Sequence, residues 1–388
     1  MKYMGMYIHI PFCKRKCSYC DFYSLDKSSD KIPEYIKTLK QELIEVGQGI
    51  KQDAKEKIND DVTIDTIYIG GGTPSFIESK YIKEIIETVN KNYNLAKDVE
   101  ITIEINPGTV NKEKLKDYIE CGINRCSLGM QTANNELLKT IGRIHTKEDF
   151  INAYNEARNA GFENINIDFI IGIPMQKLKD IDDMLEMLKK INPEHVSIYS
   201  LILEENTVLK KKIDDGLLNL PDEETERKMY WKVKENLEKQ GYEHYEISNF
   251  AKQGYYSKHN WNCWNQKEYI GFGASAHSYT DNVRYSNISC IDEYISNYKK
   301  NKQEDNIVFN EKQNKYTKMQ EYMILGLRKI NGINKDEFKE KFSIELEDVF
   351  KNEIEKLLKQ GLIEKLNNNI KLTKRGIDVA NIVWEEFV

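Results

Sequence analysis

The chain has 388 residues, with 40% hydrophobic and 31% charged side chains, so it can hold two or three domains and is too apolar to be disordered. Its formal net charge of −6 supplies no basic field for nucleic acid, and no apolar run is long enough to span a bilayer. The stretch from Met1 to Ile10 lacks targeting features and runs straight into cysteines, so a cytoplasmic protein is expected, with peripheral membrane docking left open.

The first part of the chain repeats one unit: a β-branched run, a turn rich in Gly, Pro or Asn, then an amphipathic stretch. Strands are expected at Tyr3–Ile10, Thr66–Ile69, Val99–Ile105, Asn124–Leu128, Asn164–Ile171 and His195–Leu201. Helices are expected at Pro33–Gly47, Ser79–Asn92, Lys112–Cys121, Asn134–Ile141, Lys147–Ala160 and Ile181–Lys190. Six such units imply parallel strands covered on both faces, in an open doubly wound sheet or a partial barrel. Either architecture gathers chemistry at the C-terminal strand ends. Those ends carry Pro11-Phe12-Cys13, Gly70-Gly71-Gly72-Thr73-Pro74, Asn106-Pro107-Gly108, Gln131 and Gly172-Ile173-Pro174.

All seven prolines lie at or before Pro221 and all four tryptophans after it, which places a boundary there. Residues 1–221 then form the α/β core, 222–310 an α+β extension, and 311–388 a terminal unit. That unit reads as three helices followed by extended pieces at Gly361–Leu366 and Asn369–Thr373, a winged-helix pattern. Its basic and acidic residues nearly cancel, so phosphate neutralisation would be weak and a DNA-binding role is rejected. Apolar positions such as Met323, Leu327 and Leu357 suit docking on the rest of the chain.

Seven cysteines is an odd number, and Cys13, Cys17 and Cys20 crowd into eight residues. That spacing does not suit a disulfide framework in a long chain with no secretion signal. Three soft thiolates select an Fe–S cluster, zinc or Cu(I). A structural zinc site wants four closed ligands, and no second CxxC pair exists here. Three thiolates instead leave one iron of a cubane open. A zinc site completed by His9 or a distant cysteine, in a regulator with a winged helix, is the bland alternative.

The run Cys13-Lys-Arg-Lys-Cys17-Ser-Tyr19-Cys20 resembles the CxxxCxΦC loop of the radical S-adenosylmethionine superfamily. The resemblance implies a partial (β/α)6 barrel with a 4Fe-4S cluster on Cys13, Cys17 and Cys20, and S-adenosylmethionine at its open iron. It places Tyr7, Tyr19, Gly71, Gly72, Thr73, Glu104, Gln131, Arg143 and Asp168 on matching blocks as candidate contacts to that cofactor. An Arg143 guanidinium can bridge a carboxylate in bidentate fashion. Each residue alone has a plainer reading, as a helix cap, a turn or an ion pair; their joint order along the βα ladder favours the cofactor.

Tyr199–Thr207, His259-Asn-Trp-Asn-Cys-Trp264 and Gly271–His277 extend the resemblance to the oxygen-independent coproporphyrinogen III oxidase group over essentially the whole chain. Two functions share that scaffold: the oxidase, and the HemW type, a haem chaperone. The oxidases carry a fourth cysteine where this chain has Phe22, and the HemW type continues C-D-F as Cys20-Asp21-Phe22 does. His259–Trp264 approximates the HemW H-N-x-x-Y-W motif, with Cys263 in place of its tyrosine. The resemblance thus implies a haem chaperone carrying haem to an acceptor protein, with the oxidase as the alternative. His259 and His277 are the candidate haem ligands, since histidine is a common axial ligand. A flavodoxin or ferredoxin is the implied electron donor.

Overall fold

The computed structural model describes residues 2–49 and 62–388. Within them the six expected strands form with small boundary shifts: β1 (Lys2–Ile10), β2 (Val62–Gly71), β3 (Asn94–Ile105), β4 (Arg125–Gln131), β5 (Asn164–Ile171) and β6 (His195–Ser200). They pair in parallel in sequence order, joined by the helices α1 (Ile32–Gly47), α2 (Ser79–Asn92), α3 (Lys112–Glu120), α4 (Asn135–Thr140), α5 (Lys147–Ala160) and α6 (Leu178–Ile191). Local chemistry sets the helix ends. Thr146 and Asp149 form a reciprocal capping box at the start of α5, and Gly161 ends it with a φ of 112°.

Successive strand residues point to opposite faces. On one face lie Met4, Met6, Ile8, Ile67, Ile69, Ile101, Ile103, Leu128, Ile165 and Ile167, all buried in the main core with the surrounding helices. The opposite face carries Tyr7, His9, Thr66, Tyr68, Glu104, Arg125, Ser127, Asn166, Asp168 and His195. The strands are covered on both faces as expected, one face apolar and the other a polar lumen. The tyrosines and β-branched threonines of that polar face favour strands as readily as apolar residues do.

The sheet continues beyond the sixth strand at both edges. On one side β7 (Glu243–Glu246) and β8 (Asn249–Ala251) add antiparallel to β6. On the other, β9 (Tyr269–Phe272) pairs parallel with β1, followed by β10 (His277–Thr280), β11 (Val283–Asn287) and β12 (Ile307–Lys312). The result is a 12-stranded sheet with the six parallel strands at its middle.

After α7 (Val208–Asp214) and α8 (Glu223–Lys239), and before α10 (Ile291–Lys299), the short helix α9 (Lys258–Trp264) packs against the lumen between the two edges. The Glu100 carboxylate accepts the backbone N–H groups of Lys258 and His259 at 3.1 Å each, satisfying donors that a helix start leaves open. Residues from 315 on build a second core around Met323, Leu327, Phe338, Phe350 and Leu357. Helices α11 (Lys315–Gly326), α12 (Lys335–Phe342) and α13 (Leu346–Lys359) pack there with a three-stranded sheet, as the winged-helix pattern anticipated. No helix among the described residues is long and apolar enough to cross a membrane.

Candidate cluster and cofactor site

The cysteine loop leaves β1 at Ile10 and is held by the backbone of its surroundings. Cys13 N–H donates to Leu25 O at 3.0 Å, and Leu25 N–H to Pro11 O at 2.7 Å. Ser18 N–H donates to Ile141 O at 3.0 Å, while Ser18 O accepts from Leu209 N–H at 2.8 Å. Cys13 is buried, and Cys17 and Cys20 are half-buried. Burial pushes the thiols of Cys13 and Cys20 up, and each feels the charge of its neighbouring cysteines. Among the described residues no three His, Cys, Asp or Glu side chains stand close enough to share a single ion. Cys13, Cys17 and Cys20 bring three thiols to one short loop, a donor set of the kind that holds iron–sulfur clusters.

The glycine loop after β2 lies directly against these thiols. Thr73 Oγ1 donates to Cys13 Sγ at 3.4 Å, and a Cβ on Gly72 would sit 3.0 Å from the same sulfur. Gly71 has a φ of 116°, and a Cβ there would come within 2.7 Å of the His9 ring. Only glycine meets both demands. His9 is fixed by Tyr7 Oη at 2.9 Å and by Tyr23 O at 3.0 Å.

Glu104 stands at the top of β3. Its carboxylate accepts from Tyr68 Oη at 2.9 Å and from Gly71 N–H at 3.2 Å. Burial nonetheless raises it to about 7, with Asp168 adding repulsion. A raised carboxylate binds its proton more tightly in the folded state. Its contribution to stability is therefore present below the ordinary value of 4.5 and is lost as pH rises through about 7. The variant E104Q should remove that decline. Measured by urea unfolding from pH 5 to pH 8, it should match the wild type at the low end and exceed it at the high end. Equal pH slopes for the two proteins would contradict the assignment.

Two strands over on the same face, Asp168 accepts from Ser127 Oγ at 2.7 Å and Asn166 Nδ2 at 2.8 Å. Arg143 Nη2 donates to Gly129 O at 2.7 Å, and Nη1 to Cys17 Sγ at 3.5 Å. Its buried Nε has no partner. Arg143 thus sets a cation beside Cys17 with an unpartnered donor, an arrangement that suits an anionic ligand. Gln131 takes a φ of 69°, a strained conformation for a residue with a side chain. Tyr19 lines a crevice of about 260 Å³ with Cys20, Asp21, Phe22, Ile202 and Glu204.

All nine expected cofactor contacts come from the lumen face or from the loops at its C-terminal rim. The two histidines singled out for haem lie elsewhere. His259 is buried on α9, with Nδ1 2.9 Å from Thr66 Oγ1 and its ring 5.3 Å from that of Tyr68. His277 is exposed on β10, opposite Ser286, which in turn pairs with Phe309. Although its side chain reaches solvent, partial shielding of the ring from water, and then the Arg284 charge, lower its pKa. Residue-by-residue reading missed Tyr68, Ser127 and Asn166, which hold Glu104 and Asp168 in place. Their parity with those acids along the strands was the available signal.

Both the sequence and the fold are similar to those of known proteins. The pattern of the Radical SAM superfamily matches residues 7–188, and that of the HemN C-terminal domain matches residues 314–379. The chain is 37% identical over 387 residues to a Bacillus subtilis protein named Heme chaperone HemW, covering 98% of each. It is 36% identical to the protein of the same name from Lactococcus lactis, covering 98% of this chain and 96% of the relative. Among solved structures it is similar to the radical SAM enzyme coproporphyrinogen III oxidase (HemN) from Escherichia coli. The TM-score is 0.85 at 20% identity, with 100% of this chain and 90% of that one covered, a likeness of fold alone.

Proposed function

The chain belongs to the HemW family within the radical SAM superfamily, and from that we propose that it binds haem and transfers it to an acceptor protein. The observation that carries this reading is the end-to-end identity with proteins named Heme chaperone HemW. The sequence Cys20-Asp21-Phe22, which lacks the fourth cysteine of the oxidases, supports it.

Cys13, Cys17 and Cys20 would hold the 4Fe-4S cluster. When bound, the cluster and S-adenosylmethionine supply one-electron cleavage of a carbon–sulfur bond. This chain's own residues bind and orient. Gly71, Gly72 and Thr73 admit the cofactor's amino acid portion close to the backbone. Glu104 and Asp168 offer carboxylates from β3 and β5, with β4 between them on the lumen face, and Tyr7, Tyr19 and Gln131 complete the wall. Arg143 offers its free donor to a carboxylate. In this division of labour residues 1–221 carry the cluster, 222–310 close the lumen floor and edges, and 311–388 clasp the assembly. An electron-donor protein and a haem acceptor complete the set of partners.

His277 is the better placed of the two haem candidates. It is exposed, and its lowered pKa keeps the imidazole neutral, the form that ligates iron. Half-exposed Phe309 lies two strands over in the same cross-strand row, an apolar surface for a macrocycle. His259 has one nitrogen committed to Thr66 and is assigned to anchoring α9. Haem titration followed by the Soret band tests this. H277A should weaken haem binding by roughly tenfold or more and change the spectrum. An unaltered spectrum and affinity would remove His277 from the site.

A further inference from the structure

We propose that the lumen floor contains a carboxylate-binding site centred on Arg125, separate from the cluster and cofactor residues. Arg125 opens β4 on the lumen face and is 2% exposed. Its single hydrogen bond among the described residues runs from Nη1 to Thr102 Oγ1 at 3.5 Å, the weak limit of such a bond, and its Nε has no partner. A buried guanidinium is costly unless its charge and its donors are met.

Asp168 feels the Arg125 charge, yet among the described residues no acceptor besides Thr102 is hydrogen-bonded to that guanidinium, each being directed at another donor. On the neighbouring strand β3, Glu100 spends both oxygens on the N–H groups of α9, and Glu104 spends both on Tyr68 and Gly71. Asp168 is taken by Ser127 and Asn166. His195 spends Nδ1 on Asn166 at 2.6 Å and Nε2 on Tyr245 at 2.7 Å. This closed network fixes its members and leaves the planar fork of Arg125 for an acceptor that enters from outside. The lumen is open above it, where Tyr68, Glu104 and Asp168 are half-buried and Tyr199 is 39% exposed. A carboxylate matches the fork in charge and in bidentate geometry.

The site itself rests on the lumen geometry; assigning its ligand to a porphyrin propionate rests on the haem reading. Thermal unfolding of the full chain in sodium propionate, against sodium chloride at equal ionic strength, tests the site without haem. Propionate should raise the midpoint of the wild type and leave R125Q unmoved, because only the folded site binds it. R125K, which keeps the charge and loses the fork, should respond weakly, and it serves if R125Q folds poorly. A wild-type midpoint that does not respond to propionate overturns the site, whatever haem does.

Titration with haem and with haem dimethyl ester then names the source. Haem binding roughly tenfold tighter than the ester, with the preference lost in R125Q, supports a propionate ligand. Equal binding of the two, with the propionate response intact, supports a free carboxylate and leaves the haem reading standing.

Discussion

Replacing Cys13 by serine, C13S, abolishes the iron–sulfur cluster while the chain stays folded. Iron and sulfide in reconstituted protein fall to background, the brown absorbance is lost, and far-ultraviolet circular dichroism is unchanged. Two features of the loop lead to this outcome. The proposed cluster would rest on three protein thiolates, so losing one would leave two, too few to hold a cubane against solvent and reductant. The loop is also held by contacts that involve no metal. Backbone bonds from Cys13 to Leu25, from Leu25 to Pro11, from Ser18 to Ile141 and from Leu209 to Ser18 pin it to the barrel. Phe12, 1% exposed, seats it in the main core, where its ring meets that of Tyr35 edge-on at 5.3 Å. A small zinc domain, by contrast, unfolds when its metal is removed. A C13S protein that unfolds would show that the cluster, rather than this scaffold, organises the loop.

The second large effect is expected at Arg328, far from the cluster. Its guanidinium lies over the ring of Trp264 at 4.4 Å and over that of Trp384 at 5.2 Å. Its Nη2 donates to Glu246 Oε2 at 3.3 Å, and Glu246 is wholly buried. One side chain thus ties α9, the edge strand β7 and the C-terminal core together. Removing one partner of a buried ion pair costs about 3–5 kcal/mol, because the remaining charge stays buried and unpaired. R328M should therefore lower the urea midpoint sharply.

The sign of its pH dependence follows from Glu246. Burial already raises that carboxyl and Arg328 pulls it back down, so losing Arg328 raises it further. A raised carboxyl gives its stability below the ordinary carboxylate range and loses it as pH rises. The deficit of R328M should accordingly be larger at pH 8 than at pH 5. Adding E246Q, which removes the stranded charge, should restore part of the loss. A deficit independent of pH, or one unchanged by E246Q, would assign the role of Arg328 to packing alone.

Much of this molecule was legible in its residues because the information was local. The spacing of Cys13, Cys17 and Cys20, the glycine triplet after a strand and the β-branched runs each report on a few neighbours, and the corresponding elements form within a few residues of expectation. The lumen was hidden for a different reason. Arg125 in Gly-Ile-Asn-Arg-Cys-Ser reads like a surface residue near a turn, and only its parity with Ser127 places it inside. The sheet edges were hidden because β9 reaches β1 across most of the chain, and no short-range pattern encodes that pairing. His259 illustrates the same limit. It was legible as part of a motif, but that it packs beneath Tyr68 depends on three strands and a helix meeting.

The central claim is that this radical SAM scaffold handles haem rather than oxidising a porphyrinogen. The most direct measurement is an anaerobic assay of cluster-reconstituted protein with dithionite, S-adenosylmethionine and coproporphyrinogen III, run beside a haem titration of the same preparation. Saturable haem binding and no conversion of coproporphyrinogen III are expected. Formation of protoporphyrinogen would contradict it and make the chain an oxidase despite Phe22.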